Sequence, residues 1–266
     1  MKKFMSITIG QNTQKINYEV FGRLNDLIFP NEPVAEVEYQ AFIAANFWTI
    51  FNHDRLIGYA VMTGRPQCAH IRRIGIHPDF RSQGFAVKLM DRMLEKAKVL
   101  GTRCIDLLVQ QDNQPAINLY KQFGFQVTGE SVQFSVNITP MAFDKYSIID
   151  VVEYKKSESH SPHNKQILEW VRLHTPPHKL VLVFLKQDSP IGFVRFSPEF
   201  PGCSPFVLFT DVDIDMQLLV SLLNKYALPD KRTIKITTEN TNAITLLKSA
   251  GTEMNYSLFE MTKTLV

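Results

Sequence analysis

The segment Arg81-Ser82-Gln83-Gly84-Phe85-Ala86 has residue types and spacing that could bind an anion. A strand-like stretch closes at His77-Pro78, a turn follows, and a long helical pattern begins at Gly84. Glycine in such a turn removes the Cβ that would keep a ligand off the backbone. The N–H groups of the turn and of the first helical turn, from Ser82 to Val87, then converge on one place, where the helix dipole also favours negative charge. Arg81 adds formal positive charge. A diphosphate fits that description. Alone the motif is weak, because an ordinary helix start with one convenient glycine looks the same.

A second segment, Asn113 to Phe125, reads NQPAINLYKQFGF. Asn113 is of the type that caps a helix. Ala116, Leu119 and Phe123 can face a sheet. Tyr120 then falls seven residues beyond Asn113, where a lone tyrosine is by default a half-buried aromatic on the sheet.

The two segments, in this order and separated by a strand, resemble the GCN5-related N-acetyltransferase (GNAT) superfamily. Its cofactor-loop pattern is met by Arg81, Gly84 and Ala86; its later helix pattern is met by Asn113, Ala116, Leu119, Tyr120, Gly124 and Phe125. The likeness extends from about Phe47 to Val136. It implies acetyl-coenzyme A as donor, with the pantetheine arm lying between two splayed parallel strands. The amides of that arm would bond to the backbone of Ile74, Gly75 and Ile76. The backbone of Ser82, Gln83, Gly84, Phe85, Ala86 and Val87 would hold the pyrophosphate beside Arg81, with Asn113 as a further cofactor-binding residue. An amine attacks the thioester directly, and a backbone N–H of the Ile74–Ile76 strand stabilises the oxyanion. Tyr120 corresponds to the general acid that protonates the leaving thiolate; a phenol with an ordinary pKa of about 10 suits a thiolate of similar basicity.

The general base is less defined. Many relatives carry Glu five residues before the asparagine, a position held here by Leu108, which cannot serve. The strand Cys68 to His77 resembles that of the arylalkylamine acetyltransferases, in which a histidine at the His70 position relays the amine proton through water. His70 alternates with Arg72, Ile74 and Ile76 and so could face the cleft; a satisfied structural histidine is the other reading. Glu32 and Glu36 are further options, and His77, beside Pro78, is expected at the surface.

The elements that must position these groups follow from periodicity and breakers. Met5 to Ile9 reads as a strand and Gln14 to Leu27 as a helix, broken at Phe29-Pro30-Asn31-Glu32-Pro33. A short helix over Val34 to Ala45 precedes a hairpin of Phe47–Asn52 and Leu56–Thr63. A strand over Cys68–Ile76, an amphipathic helix over Gly84–Leu100, a strand over Cys104–Val109 and a helix over Gln114–Phe123 follow. Phe125 to Val136 reads as two strands turning at Gly129, and Asn137 to Asp144 as a linker. The order then restarts: strand Tyr146–Tyr154, helix His163–Leu173, hairpin Lys179–Leu185 and Ile191–Phe196, strand Phe206–Thr210, helix Met216–Tyr226, strand Thr233–Thr237, helix Thr241–Ala250, strand Tyr256–Thr262.

Three collinear anchors make this a repeat. Asp54 to Tyr59 matches Asp188 to Phe193; Leu89-Met90-x-x-Met93-Leu94 matches Leu218-Leu219-x-x-Leu222-Leu223; Asn113 to Lys121 matches Asn240 to Lys248. The offsets, 134, 129 and 127, place a deletion of about five residues at the cofactor loop. Asp211-Val212-Asp213-Ile214-Asp215 stands there instead, and Leu247 replaces the tyrosine. The expected architecture is therefore α/β, with mixed sheets, as two tandem acyl-CoA N-acyltransferase (GNAT-like) domains: a catalytic domain over 1–140 and a degenerate copy over 141–266 that shapes the acceptor site, completes the first sheet or forms a homodimer contact.

Composition excludes several classes. The 266-residue chain is 45% hydrophobic and 21% charged, as for a folded protein. From Arg65 to Arg103 the local net charge is +6. It suits an anionic cofactor, and without an aromatic-interleaved basic stripe nucleic acid is not expected as a partner. No membrane association is expected, since no apolar run approaches the roughly 20 residues of a spanning helix. The N-terminus does not read as a signal peptide. Cys68, Cys104 and Cys203 are odd in number and widely spaced, so neither a disulfide framework nor a zinc site is suggested, and a reducing, cytoplasmic setting follows. No metal is implied. The acceptor is an amine of a small molecule, a peptide N-terminus or a lysine. The alternatives are a non-catalytic module that senses acyl-CoA and a ribosomal-type protein N-acetyltransferase.

Overall fold

The computed structural model describes residues 6–11, 16–63, 68–137, 145–157, 160–209, 214–230 and 233–265. Met5, Gln14, Arg65, the expected linker beyond Asn137 and the stretch 210–213 lie outside them. The chain divides into two compact units: Met1–Thr128 with Phe259–Val266, and Gly129–Leu258. This differs from the expected division into 1–140 and 141–266, because the C-terminal end of the chain belongs to the first unit.

In the first unit, β1 (Ile7–Gly10), β2 (Asn46–Asn52), β3 (Arg55–Thr63) and β4 (Cys68–Ile76) are antiparallel neighbours. Next to β4 lies β5 (Cys104–Gln110), paired in parallel, and next to β5 the C-terminal part of β12 (Glu253–Thr264). Helices α1 (Tyr18–Ile28) and α2 (Glu36–Ile43) cover one face, around Phe21, Tyr39, Phe42 and Tyr59. Asn17 starts α1 by accepting from Val20 N (2.9 Å). Helix α3 (Phe85–Val99) covers the other face with α4 (Gln114–Gln122). Phe85, Leu89, Met90, Met93 and Ala97 recur at helical spacing and are buried there. Burial of each large side chain contributes about 1.5–3 kcal/mol. Met261 of β12 is fully buried in the same core.

Strand β6 (Gln126–Asn137) continues through Gly129 without the expected turn. Its start belongs to the first unit and the rest to the second, with the boundary at the position of the expected turn. Thr128 bonds the hydroxyl of Thr262 (3.1 Å) in the first unit. From Thr233↔Asn137 to Thr238↔Val132 it pairs with β11 (Thr233–Thr238) in the second.

The second unit repeats the plan with β7 (Tyr146–Asp150), β8 (Leu180–Lys186), β9 (Ser189–Ser197) and β10 (Gly202–Leu208) antiparallel, and β10 parallel to β11. Here α5 (Val151–Lys156) and α6 (Asn164–Glu169) cover one face; α7 (Met216–Leu223) and α8 (Thr241–Ser249) cover the other. The expected strand Tyr146–Tyr154 ends at Asp150, because that carboxylate accepts from Val152 N and Glu153 N and starts α5. The repeat's glycine anchors are alike. A Cβ on Gly58 would lie 2.6 Å from Ile76, and one on Gly192 would lie 2.3 Å from the Val207 carbonyl. Among the described residues no helix is long and apolar enough to cross a membrane.

Candidate acyl-transfer site

The loop after β4 is folded by its own polar groups. His77 is buried, not at the surface as expected, because its Nδ1 accepts from Asp79 N (3.2 Å) to start the turn Pro78–Phe80. Arg81 Nε donates back to Ile76 O (3.1 Å) and ties the loop to the strand end. Ser82 (φ 59°) and Gly84 (φ 77°) then reverse the chain into α3. Only glycine takes such a φ without steric cost, and a Cβ on Gly84 would meet nothing within 4 Å. Gly84 leaves the N-terminus of α3 without a side-chain cap, and its first turn carries no acid. The N–H groups of Phe85, Ala86 and Val87 are therefore left without a side-chain cap, beside positive dipole charge. Gln83 lies alongside, its amide donating to Asp79 O (3.4 Å). This donor set fits a diphosphate.

The two parallel strands form a fork. Their ladder runs from Cys68↔Cys104 to Ile71↔Leu107 and ends, while β4 continues to Ile76 paired to β3. One extra residue, Arg72, is inserted between the pairs Met62↔Ile71 and Val61↔Arg73. After this bulge Arg73 and Gly75 face α1. A Cβ on Gly75 would lie 2.6 Å from Ile28, so the end of α1 rests directly on β4. Arg73 holds the following loop there: it donates to Asn25 Oδ1 (3.1 Å), pairs with Glu32 (3.3 Å) and lies over the Phe29 ring (5.1 Å).

On the opposite face, Asn113 caps α4 by accepting from Ala116 N (3.2 Å), and Ile117 and Tyr120 are its most buried residues. Tyr120 packs on Phe125 (5.9 Å), and burial pushes its phenol well above the usual range. The group therefore stays protonated and remains a donor at neutral pH.

Of the candidate bases, Glu36 is exposed and Glu32 is engaged by Arg73; Leu108, at the position where relatives carry Glu, is 39% exposed on β5. His70 meets Asp106 of β5 through Nδ1. Asp106 was not among the residues anticipated; its signal was its parity with Leu108, which places it on the face away from α3. Cys68 and Cys104 form a disulfide, a bridge that the cysteine number and spacing did not suggest. They begin two strands that lie in register, a pairing their spacing in sequence could not reveal, so the cysteine count no longer argues for a reducing compartment. Among the described residues no group of His, Cys, Asp and Glu could hold a metal.

The corresponding places in the second unit are filled. Asp215 caps α7 by accepting from Gln217 N (2.8 Å), setting a carboxylate where α3 has bare N–H groups. Thr238 Oγ1 donates to Phe206 O (2.5 Å) and Asn240 Nδ2 to Leu208 O (3.2 Å), so side chains from the end of β11 satisfy carbonyls along β10. Asn240 also caps α8 through Ala243 N (2.9 Å), as Asn113 caps α4. Leu247 is buried where Tyr120 stands in the first unit.

Comparison with known proteins bears on the family and the fold. Residues 18–125 match the acetyltransferase (GNAT) family model. An uncharacterised N-acetyltransferase of Methanocaldococcus jannaschii is 38% identical over 60 residues, 23% of this chain and 26% of that protein. A peptidyl-lysine N-acetyltransferase of Salmonella typhimurium is 33% identical over 88 residues, 33% of this chain and 54% of that protein. The chain thus spans about a quarter to a half of these relatives. A solved tandem GNAT protein from the clavulanic acid biosynthesis pathway superposes with a TM-score of 0.62 at 13% identity, over 97% of this chain and 98% of that one, which shows the shared fold. Residues 18–125 are therefore an acetyltransferase (GNAT) domain.

Proposed function

We propose that the first unit transfers an acetyl group from acetyl-CoA to a primary amine of a small molecule or peptide, in one ternary complex. The observation that carries this reading is the uncapped N-terminus of α3 at the mouth of an open strand fork. The N–H groups from Ser82 to Val87 hold the pyrophosphate, with Arg81 fixing the loop that presents them. Ile74, Gly75 and Ile76 offer backbone groups to the pantetheine amides and the developing oxyanion. Tyr120 gives its proton to the departing thiolate, and His70 accepts the proton released by the amine. The name of the Salmonella relative supports an amine acceptor and leaves lysine among the candidates.

The second unit, in this reading, binds no coenzyme A. Asp215 would repel a diphosphate and already uses the helix start, and the β10 carbonyls are taken. Thermal-shift titration with acetyl-CoA, coenzyme A and ADP, followed by thiol release across a panel of primary amines and lysine peptides, tests the proposal. Stabilisation by coenzyme A with amine-dependent thiol release is expected. No stabilisation at about millimolar ligand, where even a weak site contributes measurably, would sink it. Stabilisation without turnover on any amine would favour a sensing module.

A further inference from the structure

Asp106 has no part in the chemistry assigned so far, yet its place in the fork is specific. It stands opposite His70 in the parallel ladder, one rung before pairing ends at Ile71↔Leu107. Its carboxylate meets His70 Nδ1, and the two side chains are 30% and 23% exposed respectively. Ile105, Leu107 and Val109 fill the core under α3, so alternation turns Asp106 to the other face, toward the side covered by α1 and α2. Two residues earlier the Cys68–Cys104 bridge ties the same strands, and Thr63 Oγ1 donates to His70 O (3.4 Å). On the same face Arg72 pairs with Glu38 of α2 (3.3 Å), and Arg73 with Glu32 (3.3 Å).

We propose that Asp106 is a positioning residue for His70, at the closed end of the fork. A carboxylate on Nδ1 holds the proton on that nitrogen and leaves the ring's lone pair on Nε2. The amine proton then passes to Nε2 as the nitrogen bonds to the acyl carbon. Asp106 stays ionised and stabilises the imidazolium that forms, raising the proton affinity of the base. This rests on the reading of His70 as the base.

The test is long-range proton–nitrogen NMR of the imidazoles, with His70 assigned among the seven histidines by His70→Gln. In the wild-type protein the neutral ring is expected as the Nδ1–H tautomer. Asp106→Asn should lower its proton affinity about 10- to 100-fold, the range for losing an adjacent opposite charge, and abolish the tautomer preference. Glu38→Gln, altering the nearby ion pair, should leave both unchanged. An Nε2–H tautomer in the wild-type protein overturns the inference even if Asp106→Asn does not fold, and so does a His70 titration indifferent to Asp106→Asn. Full thiol release by His70→Gln across the amine panel would remove the base itself, a failure distinct from a silent Asp106.

Discussion

Two helices in corresponding places start differently in the two units. α3 begins at a left-handed glycine with no cap, whereas α7 begins at Asp215, whose carboxylate takes the N–H of Gln217. The first arrangement leaves donors unsatisfied beside a fork that opens after Ile71. The second satisfies them internally, and Thr238 and Asn240 satisfy the β10 carbonyls as well. Uncapped helix ends and unpaired strand edges have an energetic cost. The second unit avoids that cost, and the first retains it where a ligand would repay it.

Transplanting features tests this contrast. Gly84→Asp places a carboxylate at the start of α3 and should weaken coenzyme A binding by about 100-fold, roughly 2.8 kcal/mol, measured by calorimetry. Unchanged affinity would separate the loop from the cofactor. Tyr120→Phe keeps the buried ring and should lower kcat by about 10- to 1000-fold while binding is retained; Tyr120→Leu, copying Leu247, should do at least as much. Unchanged turnover of both removes Tyr120 from the chemistry.

Smaller effects bear on how each unit is built. Met261→Ala removes a fully buried side chain and should cost about 2–5 kcal/mol in chemical denaturation. A negligible loss would contradict the placement of β12 in the first unit. Asp215→Ala should cost only about 1 kcal/mol, as for an N-cap, seen as a lower Tm. It should create no cofactor site, because Thr238 and Asn240 remain. Alkaline pH should weaken the fold gradually. Burial raises the Tyr59, Tyr120 and Cys203 pKa values, so above about pH 9–10 the unfolded chain releases protons the folded one keeps. Stability is then full below that window and falls above it; a denaturation midpoint that rises between pH 9 and 11 would contradict these burials.

Much of the first unit was legible because its signals are local. Helix periodicity, the glycine turn at Gly84 and the Asn113 cap each lie within a few residues. What stayed hidden depends on pairing between distant segments. Nothing in Phe125 to Val136 tells a turn at Gly129 from a strand that passes through it, since glycine serves both. The return of Phe259–Thr264 to the first unit, the Cys68–Cys104 bridge and the His70–Asp106 pair all need the strand register. Periodicity does not encode register across 36 or 130 residues. Asp215 could have been read as a cap before an apolar helical run, and with that the second unit's closed helix start.

The central claim is a single cofactor site in a chain of two similar folds. Isothermal titration of the whole protein with acetyl-CoA tests it most directly. One equivalent per chain is predicted for the wild-type protein, retained in Asp215→Ala and lost in Gly84→Asp. Two equivalents per chain, or one that survives Gly84→Asp, would contradict it.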